Sequence, residues 1–337
     1  MAGPDVPSKE SPLEGTEGPK RPRMEHLQGL LRDARAQIGQ VVHGQESTVT
    51  LLFVALGGRG HVLLEGVPGV GKTTLAKAFA DVTGLRFARV QLTPDLMPTD
   101  ITGHTYFDQR EGTFKVRRGP VFTNILLADE MNRTPPRTQS ALLEVMQEHQ
   151  VTIEGRSLPV PDPFLVIATK NPIEVEGVYP LPEAERDRFM VHTLVGYPSR
   201  EVEAALVAGR LRRGRGTVHP VPQLPALLQA AVGHVTVHED LQQYLLDIVR
   251  ATREHPLLEY GASPRGTEHL LQAARTHAVL EGRWFVLPDD IKDLAVPVLR
   301  HRMMPTAEAE VQEVPVEEIV DEILADMPVP IAPRAPA

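Results

Sequence analysis

Cysteine is absent from the 337-residue chain, which excludes disulfides, cysteine nucleophiles and thiolate metal sites. A reducing compartment is thereby permitted. Aromatic residues make up only 4%, so the core has to be assembled from Leu, Val, Ile and Ala. Base-stacking surfaces, which need exposed aromatics, have little to draw on. Positive charge is outweighed too, since 35 Lys and Arg against 44 Asp and Glu leave a net charge of −9. That balance opposes a general affinity for nucleic-acid phosphates. No run approaches the ~18 apolar residues of a membrane span, and Met1 to Met24 hold no apolar stretch of signal-peptide length. No transmembrane segment and a cytoplasmic location are therefore expected. What is present is ordinary for a globular protein, with 42% hydrophobic and 23% charged residues.

Residues 1–23 are rich in Pro, Gly, Glu, Ser and Lys and lack hydrophobic periodicity, so a disordered tail is expected there. From Met24 the pattern becomes periodic, with helices over Met24–Ile38 and Glu46–Leu56. Apolar runs at His61–Glu65, Phe87–Gln91, Ile125–Asp129, Phe164–Ala168 and Met190–Leu194 read as strands. Helical stretches, notably Thr73–Val82 and Pro136–Glu148, lie between them. The middle strands are apolar on both faces, as in a parallel sheet covered on each side. Residues 24–197 thus read as a doubly wound α/β domain. Two hairpins interrupt it, one over Tyr106–Lys115 turning at Glu111-Gly112 and one over Val151–Val160 turning at Gly155-Arg156. Beyond Tyr197 helices dominate, and residues 198–327 are expected to form a smaller all-α domain before a Pro-rich tail, 328–337.

Gly66-Val67-Pro68-Gly69-Val70-Gly71-Lys72-Thr73 matches the phosphate-binding loop, two glycines flanking four residues before Lys-Thr. Glycines let backbone N–H groups converge on phosphate oxygens, and the helix that follows adds its N-terminal partial charge. Lys72 can neutralise β/γ phosphates and the Thr73 hydroxyl can bind Mg²⁺; Thr74 completes the expected nucleotide-contacting segment. Asp129, at the carboxyl end of an apolar run, supplies the second metal-directed group. Glu130 follows and can polarise a water toward the γ-phosphate. Asn171 ends the Phe164–Ala168 run and can hydrogen-bond that water or the phosphate. An Asn-Lys-x-Asp guanine signature is missing, which leaves ATP as the expected nucleotide.

The order of these parts resembles the AAA+ superfamily, and their wording resembles its MoxR branch, a helix-2-insert group. The resemblance is carried by Gly66–Thr73, Gln91–Gly103, Gly119–Glu148 and Ala168–Pro172, and extends from about Val41 to Leu324. It implies a P-loop doubly wound parallel core followed by a helical lid. Asn171 would sense the γ-phosphate, and Arg188 would be the arginine finger presented to a neighbouring subunit. Arg265 would reach from the lid to the phosphates, and Val42, His43 and Gly44 would open the adenine pocket. The two hairpins would face the pore of a ring, expected to be a homo-hexamer. The resemblance further implies ATP hydrolysis serving chaperone-like remodelling of clients, including proteins with a von Willebrand factor A (VWA) domain. Two departures stand out: Lys170 where the branch usually has Gln, and Arg186 adding a second arginine beside Arg188.

Two other readings compete. A nucleic-acid motor has only the basic run Arg210-Leu-Arg-Arg-Gly-Arg215 in its favour. A nucleotide-gated scaffold with slow turnover sits poorly with a chain in which every catalytic position is filled.

Overall fold

The computed structural model describes residues 21–172, 178–209 and 218–330. Most of the expected N-terminal tail, the basic run Arg210–Arg215 and the end of the Pro-rich tail lie outside the described residues. Two helices come first, α1 (Met24–Val41) and α2 (Glu46–Gly57), then β1 (Val62–Glu65), α3 (Lys72–Thr83) and β2 (Phe87–Gln91). A short α4 (Pro98–Thr102) leads into the hairpin β3 (Gly103–Asp108) and β4 (Thr113–Arg118), followed by β5 (Ile125–Asp129) and α5 (Pro136–Glu148). A second hairpin, β6 (Gln150–Ile153) and β7 (Arg156–Pro159), precedes β8 (Leu165–Lys170), α6 (Glu183–Arg186) and β9 (Val191–Leu194).

Five strands form one parallel sheet in the order β2-β5-β8-β1-β9. Alternate side chains of each central strand feed two separate cores, because successive Cβ atoms point to opposite faces. Val62, Leu64, Ile125, Leu127, Leu165 and Ile167 pack with α1, α2 and α3. Leu63, Leu126, Ala128, Val166 and Ala168 pack on the other face with Leu142, Leu143 and Met146 of α5. This double burial explains the unbroken apolar runs in the sequence.

The remainder is mainly helical: α7 (Arg200–Val207), α8 (Leu224–Gly233), α9 (Glu239–Ala251), then β10 (Leu258–Tyr260) and α10 (Pro264–Leu280). It ends with α11 (Pro288–Leu299), β11 (Met304–Pro305), α12 (Ala307–Val311) and α13 (Val316–Asp326). Among the described residues, no helix is long and apolar enough to cross a membrane.

Three details depart from the expectation. The helical part contains a two-stranded antiparallel ribbon, β10–β11, too short to leave a periodic signal. The second hairpin turns at Glu154-Gly155, one residue early, because both residues take positive φ (50° and 74°), the geometry of a tight two-residue turn. The first hairpin turns over residues 109–112, where the Asp108 carboxylate accepts the Arg110 N–H at 2.9 Å.

Several histidines are buried neutral. His61 bridges the Met146 carbonyl and the Val166 N–H, each at 3.0 Å, and burial pushes its pKa down to about 4. Burial, aided by Arg302, pushes His269 down to about 3 and His301 well below its ordinary value. A depressed folded-state pKa means the unfolded chain takes up protons that the folded chain refuses. Stability is therefore full above the ordinary value of 6.5 and declines as pH falls from there toward about 4. Urea midpoints should hold level from pH 8 to pH 7 and drop between pH 6.5 and 4; a flat profile across that window would contradict the assignment.

Candidate functional site

The loop after β1 turns through Gly69 (φ 85°) and Gly71 (φ 96°), backbone conformations that side chains resist, and Gly71 then caps α3. A Cβ at either glycine would meet nothing within 4 Å, so the cradle faces open space. At Gly66 the reverse holds: a Cβ would come within 2.4 Å of the Val195 carbonyl oxygen. Gly66 N–H donates to the Lys170 carbonyl at 3.2 Å, which ties the loop to the end of β8. Lys72 donates to the Gly66 carbonyl and, at 3.4 Å, to that of Lys170. Thr73 and Thr74 follow in the first turn of α3, both partly exposed.

Strand order decides what else is near. β8 lies between β1 and β5, so the loop, Asn171 and Asp129 occupy the carboxyl ends of three adjacent strands. That edge is where open α/β sheets bind ligands. Asp129 is buried; Thr169 of β8 donates to its Oδ1 at 2.6 Å, and Arg89 of β2 donates to its Oδ2 at 2.7 and 3.1 Å. Thr169 Oγ1 also accepts the Glu130 N–H at 2.9 Å. Glu130 adopts φ 59°, ψ 53°, a left-handed conformation uncommon for a side-chain-bearing residue and one found at functional sites. Its carboxylate accepts Gln91 Nε2 at 2.6 Å and pairs with Arg133 at 3.2 Å. Asn171 is buried, and its carbonyl accepts Asn132 Nδ2 at 3.3 Å.

Beside this group lies a half-buried cluster on β1, β8 and β9. Glu65 accepts His192 Nε2 at 3.1 Å and Lys170 Nζ at 3.3 Å. The His192 hydrogen bond, with help from Lys170 and against burial, holds Glu65 down at about 2. Burial holds His192 low, so a neutral imidazole donates to an anionic carboxylate.

The two expected arginines differ in surroundings. Among the described residues, nothing forms a hydrogen bond or ion pair with the Arg188 guanidinium, whereas its neighbour Arg186 pairs with Glu183 at 3.2 Å. Arg265, at the start of α10, pairs with Asp187 at 3.2 Å. Val42 and His43 follow α1; Val42 is buried, and Nε2 of His43 is buried with no hydrogen-bond partner among the described residues. Gly44 has φ 72° and a Cβ there would lie 3.6 Å from Val202, so the α1–α2 turn faces α7.

Sequence reasoning missed Arg89, Gln91, Thr169 and Asp187 as members of this constellation. Gln91 and Thr169 carried a usable signal, a polar residue ending an apolar strand. Arg89 and Asp187 carried none.

A sequence model of the ATPase family associated with various cellular activities (AAA) matches residues 61–191, and one of the AAA lid domain matches residues 250–323. The chain is 42% identical over 341 residues to Chaperone MoxR1 of Mycobacterium tuberculosis, covering 96% of this chain and 87% of that one. It is 43% identical over 315 residues to the uncharacterised protein YeaC of Bacillus subtilis, covering 91% of this chain and 97% of that one. A crystal structure from Cytophaga hutchinsonii shares 37% identity with a TM-score of 0.83, covering 91% of this chain and 97% of that one.

Proposed function

Given that this chain belongs to the MoxR family of AAA+ ATPases, we propose that it binds ATP with Mg²⁺ and hydrolyses it to remodel partner proteins. The observation that carries this reading is the open glycine cradle beside Asp129, Glu130 and Asn171 at the ends of three neighbouring strands. In it, the loop from Gly66 through Val67, Pro68, Gly69, Val70 and Gly71 to Lys72, Thr73 and Thr74 wraps the phosphates, with backbone N–H groups and Lys72 meeting the charge. Thr73 and Asp129 would hold Mg²⁺, which when bound neutralises charge on the phosphates and orients them. The fit is supported by Asp129, whose Arg89 and Thr169 contacts hold it as an oriented carboxylate. Glu130 takes the proton of the attacking water, and Asn171 orients that water. Val42, His43 and Gly44 bound the adenine.

Arg188 serves the neighbouring subunit's phosphate, and Arg265, held beside it through Asp187 at the entry to β9, is assigned to the same charge; that requires a ring, which we take to be a hexamer. The unpaired Arg188 guanidinium supports that choice over Arg186, whose charge is spent on Glu183. The core is assigned to residues 24–197 and the lid to 198–327, and a cytoplasmic location fits the need for ATP. Client contact falls to the β3–β4 hairpin, where Phe107 and Phe114 stack edge to face at 5.2 Å and Phe114 is 75% exposed. Clients include VWA-domain proteins in this reading.

A nucleic-acid motor is the second reading, favoured by Arg117 and Arg118 on the same hairpin as those aromatics. Lys115 does not add to it, since Asp108 and Glu111 already pair with it. One experiment separates the two: equilibrium nucleotide binding with phosphate release, with and without DNA. Adenine nucleotide should bind at least about tenfold tighter than guanine nucleotide, a gap of ~1.4 kcal/mol, and release phosphate only with Mg²⁺. Stimulation by DNA that falls steeply with salt would move the second reading ahead. Folded protein without adenine-nucleotide affinity would end both.

A further inference from the structure

Three consecutive residues at the end of β8 touch every part of the candidate site. Thr169 donates to the Asp129 carboxylate and accepts the Glu130 N–H, which fixes this strand end against β5. The Lys170 carbonyl accepts the Gly66 N–H at 3.2 Å and Lys72 Nζ at 3.4 Å, which joins it to the phosphate loop. Asn171 follows, buried, with its carbonyl taking the Asn132 amide.

On the side of β1 the tie is made by a side chain. Register sets Lys170 directly opposite Glu65, so both project from the same face of the sheet. His192 on β9 stands opposite Leu63, two residues before Glu65 and therefore on that face as well. Lys170 Nζ and His192 Nε2 meet the same Glu65 oxygen, at 3.3 and 3.1 Å. Glu65 is the residue before Gly66, and Lys170 is the residue before Asn171. One carboxylate thus pins the start of the phosphate loop to the end of the strand that carries Asn171.

The two donors on Glu65 are not equivalent. The His192 side chain is 11% exposed and that of Lys170 is 43% exposed. An ion pair as open as the second contributes only ~0–1 kcal/mol to folding. Without the Lys170 amine, Glu65 keeps its bond from His192. The loop keeps its own clamps: a Cβ at Gly66 would meet the Val195 carbonyl, and the Val195 N–H donates to the Glu65 carbonyl at 2.7 Å. Thr169 likewise keeps Asp129. What loses a restraint is the strand end beyond Thr169, where Asn171 sits.

We propose that Lys170 is a positioning residue for Asn171: anchored on Glu65, its side chain holds the end of β8 in register with the phosphate loop. Asn171 then addresses the phosphate that the loop binds. This rests on the role given above to Asn171, and Lys170 acts only through that neighbour.

The test is Lys170→Met, which keeps most of the side-chain length and removes the amine. Phosphate release from bound ATP is followed in single turnovers, so that slow variants remain measurable. Its rate should fall at least about fivefold and up to about a hundredfold, the cost of misplacing a reacting group by about 1 Å. ATP affinity should stay within about threefold, because the loop keeps its backbone ties. Lys170→Gln, whose donor is one bond shorter, should run faster than Lys170→Met. In an Asn171→Ala background, Lys170→Met should change the rate by less than about twofold, since the group it positions is gone. A merely structural role would instead multiply the two losses, weaken ATP binding and lower the urea midpoint. Glu65→Gln withdraws the anchor from the other side and should slow phosphate release in the same sense; it decides the matter if Lys170→Met does not fold. The proposal is overturned by a folded Lys170→Met variant with a loss under about fivefold, by losses that multiply in the cycle, or by a Lys170→Gln variant no faster than Lys170→Met. Glu130→Gln is measured alongside: a parent rate that it leaves unchanged counts against the ATPase reading and not against the tie.

Discussion

Glu130→Gln should keep adenine-nucleotide affinity within about twofold of the parent and lose turnover by about 10²–10⁴-fold, the usual contribution of a general base. The amide matches the carboxylate in shape but cannot accept a proton at neutral pH. Folding should survive, because the Gln91 and Arg133 contacts converge on one oxygen that a glutamine amide still offers. The left-handed backbone at this position is imposed by the turn out of β5, and the Thr169 bond to its N–H is untouched. Phosphate release at saturating ATP, read with a binding isotherm on the same preparation, measures both quantities. Turnover within about threefold of the parent would remove Glu130 from the chemistry, because a loss that small is under ~1 kcal/mol of barrier.

Arg188→Ala carries the other large effect. Stabilisation of transferring phosphoryl charge by an arginine is worth about 10³–10⁵ in rate, so turnover should fall by that order while ATP still binds. The fold has little to lose, since among the described residues no hydrogen bond or ion pair ends on this guanidinium. Mixing distinguishes a finger acting in trans from a defect within one subunit. Arg188→Ala subunits keep an intact Glu130, and Glu130→Gln subunits keep an intact Arg188, so mixed rings should regain turnover that neither parent preparation has. Preserved turnover in Arg188→Ala alone would transfer the role to Arg186, at the cost of its pair with Glu183.

How much was readable beforehand depended on distance along the chain. The central strands β1, β5 and β8 and the helices over Met24–Ile38 and Pro136–Glu148 were legible because a strand buried on both faces must be apolar throughout and an amphipathic helix repeats every 3.6 residues. The phosphate loop was legible because its parts are contiguous, and glycine at Gly69 and Gly71 answers a local backbone demand. The β10–β11 ribbon was not, since two and three residues form no period. Its pairing depends on the partner strand and not on local preference.

The sequence by itself determined the groups available to this protein: a glycine loop, an aspartate closing an apolar strand, an adjacent glutamate and no thiol. Tertiary structure alone decided how those groups are restrained. Gln91 meets Glu130 across 39 positions, Arg89 meets Asp129 across 40, and Arg302 meets Asp187 across 115. Such contacts leave no mark on composition or spacing, because they arise only when parallel strands place distant carboxyl ends side by side and the helical part closes over the entry to β9.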